Sequence, residues 1–97
     1  MAVAQISAKA QEDIDAIADR IARDKPLAAL KWIDRLHERF DVLADWPGAG
    51  QIRDDLQRGL RTLPFGNYII CYRVTADGTQ IVRVVDGKRN LNDRFFA

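Results

Sequence analysis

The apolar residues of this chain change their spacing once, and that change limits the folds open to it. From residue 8 to residue 45 they recur every three or four positions: Ile14, Ile17, Ala18 and Ile21, then Ala29, Ile33, Leu36, Phe40 and Leu43. From residue 59 to residue 86 come short β-branched and aromatic runs instead: "GLRTL", "YIICYRV" and "QIVRVVD". The first spacing makes one face of a helix apolar; runs of the second kind, bounded by turn residues, form strands. Helices followed by consecutive strands predict an α+β domain with a helical hairpin on a small antiparallel sheet.

The punctuation sharpens this outline. Residues 2–6, "AVAQI", alternate weakly and predict a first strand, and Ser7 is placed to cap a helix that starts at Ala8. Pro26 suits the first turn of a second helix, where its missing N–H would be unpaired anyway. Leu27, Leu30 and Trp32 broaden that helix's apolar stripe, and "DWPGAG" ends it. The expected order is β-α-α-β-β-β, in one domain over residues 1–97.

A register follows if the strands run without interruption. A two-residue turn at Asp77-Gly78 sets Val74 opposite Ile81 and Ile70 opposite Val85; "PFGN" sets Leu63 opposite Tyr68. One face then carries Arg61, Leu63, Tyr68, Ile70, Tyr72, Val74, Ile81, Arg83 and Val85. The other carries Leu60, Thr62, Ile69, Cys71, Arg73, Val82 and Val84. Both faces are largely apolar, and two helices cover only one of them. The second face is therefore expected to meet another copy or a partner.

Composition excludes several classes. With 97 residues, 47% hydrophobic and 30% charged, the chain is neither disordered nor fibrous. Ala2-Val3-Ala4 is far too short an apolar run for a signal peptide or a membrane span. One cysteine permits no internal disulfide, which fits a reducing cytoplasm. The net charge of +1 hides a division. Residues 1–57 hold 8 basic and 11 acidic groups, residues 58–97 hold 7 basic and 3 acidic. The second half is thus the one expected to attract an acidic partner.

Catalytic groups are few. His37, the only histidine, lies in mid-helix. Cys71 lies in a strand with no base near it in sequence, and reads as a buried or interface thiol. Ser7, the only serine, is explained by capping. One histidine and one cysteine make no zinc site, and "GAG" at 48–50 has no phosphate-loop spacing. No metal or cofactor is expected. Arginines remain. Arg61, Arg73, Arg83 and Arg89 lie on or just beyond the sheet, where they could stabilise a phosphorane-like transition state, so RNA cleavage stays open on the residues alone.

"LRTLPFGNYIICYRVTADGTQIVRVVDGKRN", following "DWPGAG" and two amphipathic helices, resembles the RelE/ParE superfamily of bacterial toxins, in its ParE-like branch. The motifs that carry the resemblance are the Pro-Gly-x-Gly loop, the Asn-Tyr before an aliphatic run ending in Tyr-Arg-Val, and the valine-rich strand before a basic turn. The resemblance covers nearly the whole chain. It implies the toxin of a type II toxin–antitoxin pair, a cytoplasmic protein acting by binding DNA gyrase and neutralised by a ParD-like antitoxin with a ribbon-helix-helix DNA-binding domain. Neither membrane association nor direct sequence-specific nucleic-acid binding is implied.

The RelE-like branch, whose members are ribosome-dependent mRNA endonucleases, is the alternative. Its two strand lysines fall at Leu60 and Thr62, one arginine at Ile69 and its tyrosine at Phe95; only Arg89 matches. Each lost electrostatic contact removes about 3 kcal/mol of transition-state stabilisation. A non-enzymatic toxin is therefore expected, with Leu60, Ile69, Cys71, Arg73, Val82 and Val84 as the antitoxin-binding face, from which the antitoxin segment reaches the groove beside the helical hairpin. The tail after Gly87 offers two outcomes. Lys88, Arg89, Arg94, Phe95 and Phe96 are assigned to target binding; the competing arrangement folds both phenylalanines back onto the domain.

Overall fold

Ser7 does what its position suggests. In the computed structural model, which describes residues 3–96, its Oγ accepts a hydrogen bond from the Ala10 N–H at 3.0 Å and starts helix α1, Ala8–Ala22. Arg23, Asp24 and Lys25 turn the chain, and Pro26 opens helix α2, Pro26–Asp45. Strand β1 is Gln5–Ile6; Ala2, the start of the expected strand, lies outside the described residues, as does Ala97. Strands β2 (Gln51–Ile52), β3 (Leu60–Phe65), β4 (Tyr68–Thr75) and β5 (Gly78–Asp86) follow.

The five strands form one sheet in the order β1-β5-β4-β3-β2. The expected antiparallel meander of three strands is present, widened by a short strand at each edge. β1 runs parallel to β5, so the sheet is mixed, and β2 pairs antiparallel with β3.

Ile14 and Ile17 of α1 and Leu36, Phe40 and Leu43 of α2 pack on Ile70, Tyr72, Ile81 and Val84 of the sheet. Thr79 Oγ1 donates to the Leu43 carbonyl at 3.0 Å and ties the end of α2 to β5. The apolar stripe of α2 is narrower than its sequence suggests. Leu27 is 73% exposed and Leu30 60% exposed, so neither joins the buried stripe.

The register differs from the uninterrupted one. Leu63 pairs with Ile70, so the first hairpin turns on Gly66 and Asn67, with Gly66 at a φ of +56°. Thr75 pairs with Gly78, so Ala76 and Asp77 form the second turn. Between these turns Tyr72 faces Ile81 while Cys71 faces Arg83, which leaves Val82 as the extra residue of a β-bulge. An extra residue reverses the alternation beyond it. Val84 therefore lies on the helix side, not on the second face, while Arg83 and Val85 lie on the second face with Cys71.

Tyr72 shows how the glycine-rich loop is read. Its buried hydroxyl accepts from the Gly50 N–H and donates to the Pro47 carbonyl, both at 2.7 Å. Burial raises the phenol's pKa, so the hydroxyl keeps the proton it donates. A Cβ at Gly50 would lie 2.5 Å from that hydroxyl, which is why this loop position has no side chain. Replacing Tyr72 with Phe is expected to destabilise the fold by about 1–3 kcal/mol, because two buried backbone groups lose their partner. Urea unfolding of the two proteins measures it; equal midpoints would show that the loop does not depend on the hydroxyl.

Candidate functional site

The second face of the sheet is already covered. Leu60 and Cys71 are fully buried, and Val85 and Leu56 nearly so. Ile69, Val82, Leu91, Phe95 and Phe96 pack around them, each partly buried. Leu56 comes from the loop between β2 and β3. Leu91 and the two phenylalanines come from the tail.

Short-range hydrogen bonds guide the tail there. The Gly87 N–H donates to the Asn67 carbonyl at 2.7 Å, and the Lys88 N–H to Asp86 Oδ1 at 2.9 Å. Asn92 Oδ1 accepts from the Arg94 and Phe95 N–H groups, at 3.0 and 3.3 Å, and caps a 3-10 turn over Asp93–Phe96. Gln57 Nε2 donates to the Phe96 carbonyl at 3.1 Å. The Phe95 ring has the guanidinium of Arg83 at 4.4 Å from its centre and that of Arg89 at 4.7 Å. Each such contact contributes about 0.5–2 kcal/mol, depending on its desolvation.

This arrangement divides the residues expected to bind partners. Of the antitoxin-binding set, Leu60 and Cys71 lie beneath the tail, Val84 is on the opposite face, and Ile69, Arg73 and Val82 reach the rim half-buried. Of the target-binding set, Phe95 and Phe96 are docked on the domain, and Arg89 stacks on Phe95. Lys88 and Arg94 point to solvent.

The four arginines of the sheet region are held by the fold itself. Arg61 Nη1 donates to the Gly50 carbonyl at 2.9 Å, and Arg73 Nη2 to Gln57 Oε1. Arg83 forms a two-bond pair with Asp13, at 2.7 and 2.9 Å, and Arg89 lies against Phe95. Burial pushes the Cys71 thiol up to about 12, from an ordinary value of 9.0. It is a neutral packing group with no nucleophilic character at physiological pH. His37 is exposed on α2 beside Phe40. Among the described residues no three His, Cys, Asp or Glu side chains gather as a metal site requires, and no helix is long and apolar enough to cross a membrane.

A second concave surface is the groove beside the helical hairpin, which the sequence offers only as a place that the antitoxin segment would reach. It lies on the helix side, between α2 and the β3–β4 turn, where Trp32, Phe65 and Tyr68 meet below Lys31, Arg35 and Arg39. The signal was present as three cations spaced four residues apart beside a tryptophan. It is faint because Asp34 and Glu38 interrupt it in the linear sequence.

If the tail is what seals the second face, the Cys71 thiol reports it. Native protein should react with iodoacetamide only as fast as it opens, and replacing Phe95 and Phe96 with alanine should speed labelling roughly tenfold or more. The same thiol gives a pH dependence. Its folded pKa lies above the unfolded one, so its contribution to stability is complete below pH 9.0 and is lost as the pH rises toward about 12. Unchanged labelling in the double alanine variant would show that Leu56 alone covers the face.

Relatives of known family share this architecture. The family model described as the ParE toxin of type II toxin-antitoxin system, parDE, matches residues 4–91. Toxin ParE3 of Caulobacter vibrioides is 34% identical over 59 residues, which span 61% of this chain and 59% of that protein. The chain thus spans less than two thirds of that relative. Toxin RelE2 of the same organism is 36% identical over 76 residues, 78% of this chain and 84% of its own length. Among solved structures, the chromosomal ParDE toxin–antitoxin system from P. aeruginosa superposes with a TM-score of 0.75 and 28% identity, covering 89% of this chain and 96% of that one. The sheet order, the helical hairpin and the matched span agree: this chain belongs to the ParE toxin family of type II toxin–antitoxin systems.

Proposed function

We propose that the chain is a cytoplasmic toxin that acts by holding a protein, DNA gyrase, and that a ParD-like antitoxin neutralises it. The observation that carries this reading is the state of the sheet arginines. Arg61, Arg73, Arg83 and Arg89 are each tied to another part of the same chain. A guanidinium that stabilises a phosphoryl transition state must present donors to it, and these four are engaged by a carbonyl, an amide, a carboxylate and an aromatic ring of the chain itself. Leu60 and Ile69, which stand where the RelE-like nuclease branch has cations, are packed beneath or beside the tail. The ribonuclease alternative is kept in view by the likeness to Toxin RelE2.

Neutralisation fits the rim of the second face. An antitoxin segment that meets Ile69, Arg73 and Val82 would place apolar groups against the exposed parts of Phe95 and Phe96 and a carboxylate near Arg73. The Nε of Arg73 is buried without a hydrogen-bond partner among the described residues, which favours an acidic group there.

The direct test is plasmid supercoiling by purified gyrase. The toxin is expected to stop supercoiling, and equimolar antitoxin to restore it. Full gyrase activity at a large excess of toxin, with growth arrest still seen in cells, would assign the toxin a different target.

A further inference from the structure

We propose that the groove between α2 and the β3–β4 turn is the surface with which this toxin grips its target, and that it takes an acidic protein segment carrying a large apolar anchor. The proposal rests on the toxin reading above and adds where the target binds. The cavity measures about 580 Å³. Its floor is apolar: Trp32 meets Tyr68 edge to face, with ring centres 5.5 Å apart, and Phe65 at 6.3 Å. Ile21 and Ala28 extend it toward the end of α1.

Its rim is cationic. Lys31, Arg35 and Arg39 follow each other at four-residue intervals, which sets them in a row about 6 Å apart along α2. Arg20 joins them from α1, donating to the Tyr68 hydroxyl at 3.1 Å. Among the described residues none of the four has a carboxylate within 4.0 Å, whereas Lys9, Arg53 and Arg83 each have one. Four cations thus stand without an ion-pair partner around one apolar hollow, whereas the cations of the tail, Lys88 and Arg94, point to solvent away from any such hollow. Such a rim steers an acidic partner and sets its register, and the hollow accepts the buried anchor that dominates interface energetics.

The occupant's class follows from the rings. Stacked bases need free aromatic faces. Here Trp32 meets Tyr68 edge to face and Phe65 at a tilt of 58°, and Arg39 lies over Phe65 at 5.8 Å. An aliphatic or aromatic side chain fits this floor better than a base. A second copy does not supply the segment, because the acidic stripe of α1 belongs to a helix whose apolar residues Ile14 and Ile17 are buried. The groove also lies across the sheet from the rim assigned to the antitoxin, since Tyr68 and Trp32 pack with the helix-side core and Ile69 and Val82 with the other.

The test replaces Lys31, Arg35 and Arg39 together with glutamate in the full chain. Growth arrest on induction is expected to weaken roughly tenfold or more, while affinity for the antitoxin stays within about threefold and confirms the fold. Undiminished growth arrest would overturn the proposal, as would lost antitoxin affinity with toxicity intact. Quenching of Trp32 by single-stranded oligothymidine in a Trp46→Phe background, abolished by the triple replacement, would give the groove to nucleic acid and overturn it too. The two readings separate cleanly. Wild-type and variant toxin inhibiting gyrase equally would refute the groove alone. A wild type that leaves gyrase untouched, with a variant that no longer arrests growth, would refute gyrase alone.

Discussion

Arg83 and Asp13 hold three parts of this molecule at one point. Their two hydrogen bonds, at 2.7 and 2.9 Å, join α1 to β5, and only 14% of either side chain is exposed. Asp13 Oδ2 also accepts the Val84 N–H at 3.1 Å, which occupies the edge of β5 beyond the point where β1 ends. Ser7 covers the same edge one step earlier, donating its N–H to the Ile81 carbonyl and its hydroxyl to that of Val82. The other side of the Arg83 guanidinium supports Phe95 and with it the tail. Donating to Asp13 raises the pKa of Arg83 further, so the guanidinium is charged at every physiological pH. Removing one partner would strand the other in a largely buried place, at a cost of about 3 kcal/mol.

The bulge at Val82 makes that junction possible. Without the extra residue Arg83 would alternate onto the helix side, into the core of Ile70, Tyr72 and Ile81. With it, Arg83 emerges at the sheet edge, where it reaches both α1 and the tail. The consequence runs through to function. A sheet face that looks open in the linear sequence is closed by the chain's own end, and the guanidinium groups around it act as fasteners. A row of cations without ion-pair partners lies on the other side, along α2.

The helices were legible because their signals are local. Ser7 and Pro26 fix their starts, and Ile14, Leu36 and Phe40 face the core as their spacing requires. The strands were legible as elements but not in register. A bulge costs no unusual residue, and nothing in "QIVRVVD" distinguishes Val82 from its neighbours. Val84 was placed on the wrong face for that reason alone. The tail stayed open between target binding and docking on the domain because its hold is tertiary: Phe95 rests on Arg83 and Arg89. Charge counted over each half of the sequence does not reveal the groove. The four unmatched cations of the groove belong to the half with net negative charge, since acidic residues of α1 and α2 point elsewhere.

The central claim is that the second sheet face is a structural seal and not a reaction centre. Primer extension on mRNA from ribosomes translating in the presence of purified toxin tests this most directly. Intact messages are predicted at toxin concentrations that arrest growth. Cleavage at defined codons, lost when Arg89 is replaced with alanine, would contradict the account and return the chain to RNA chemistry.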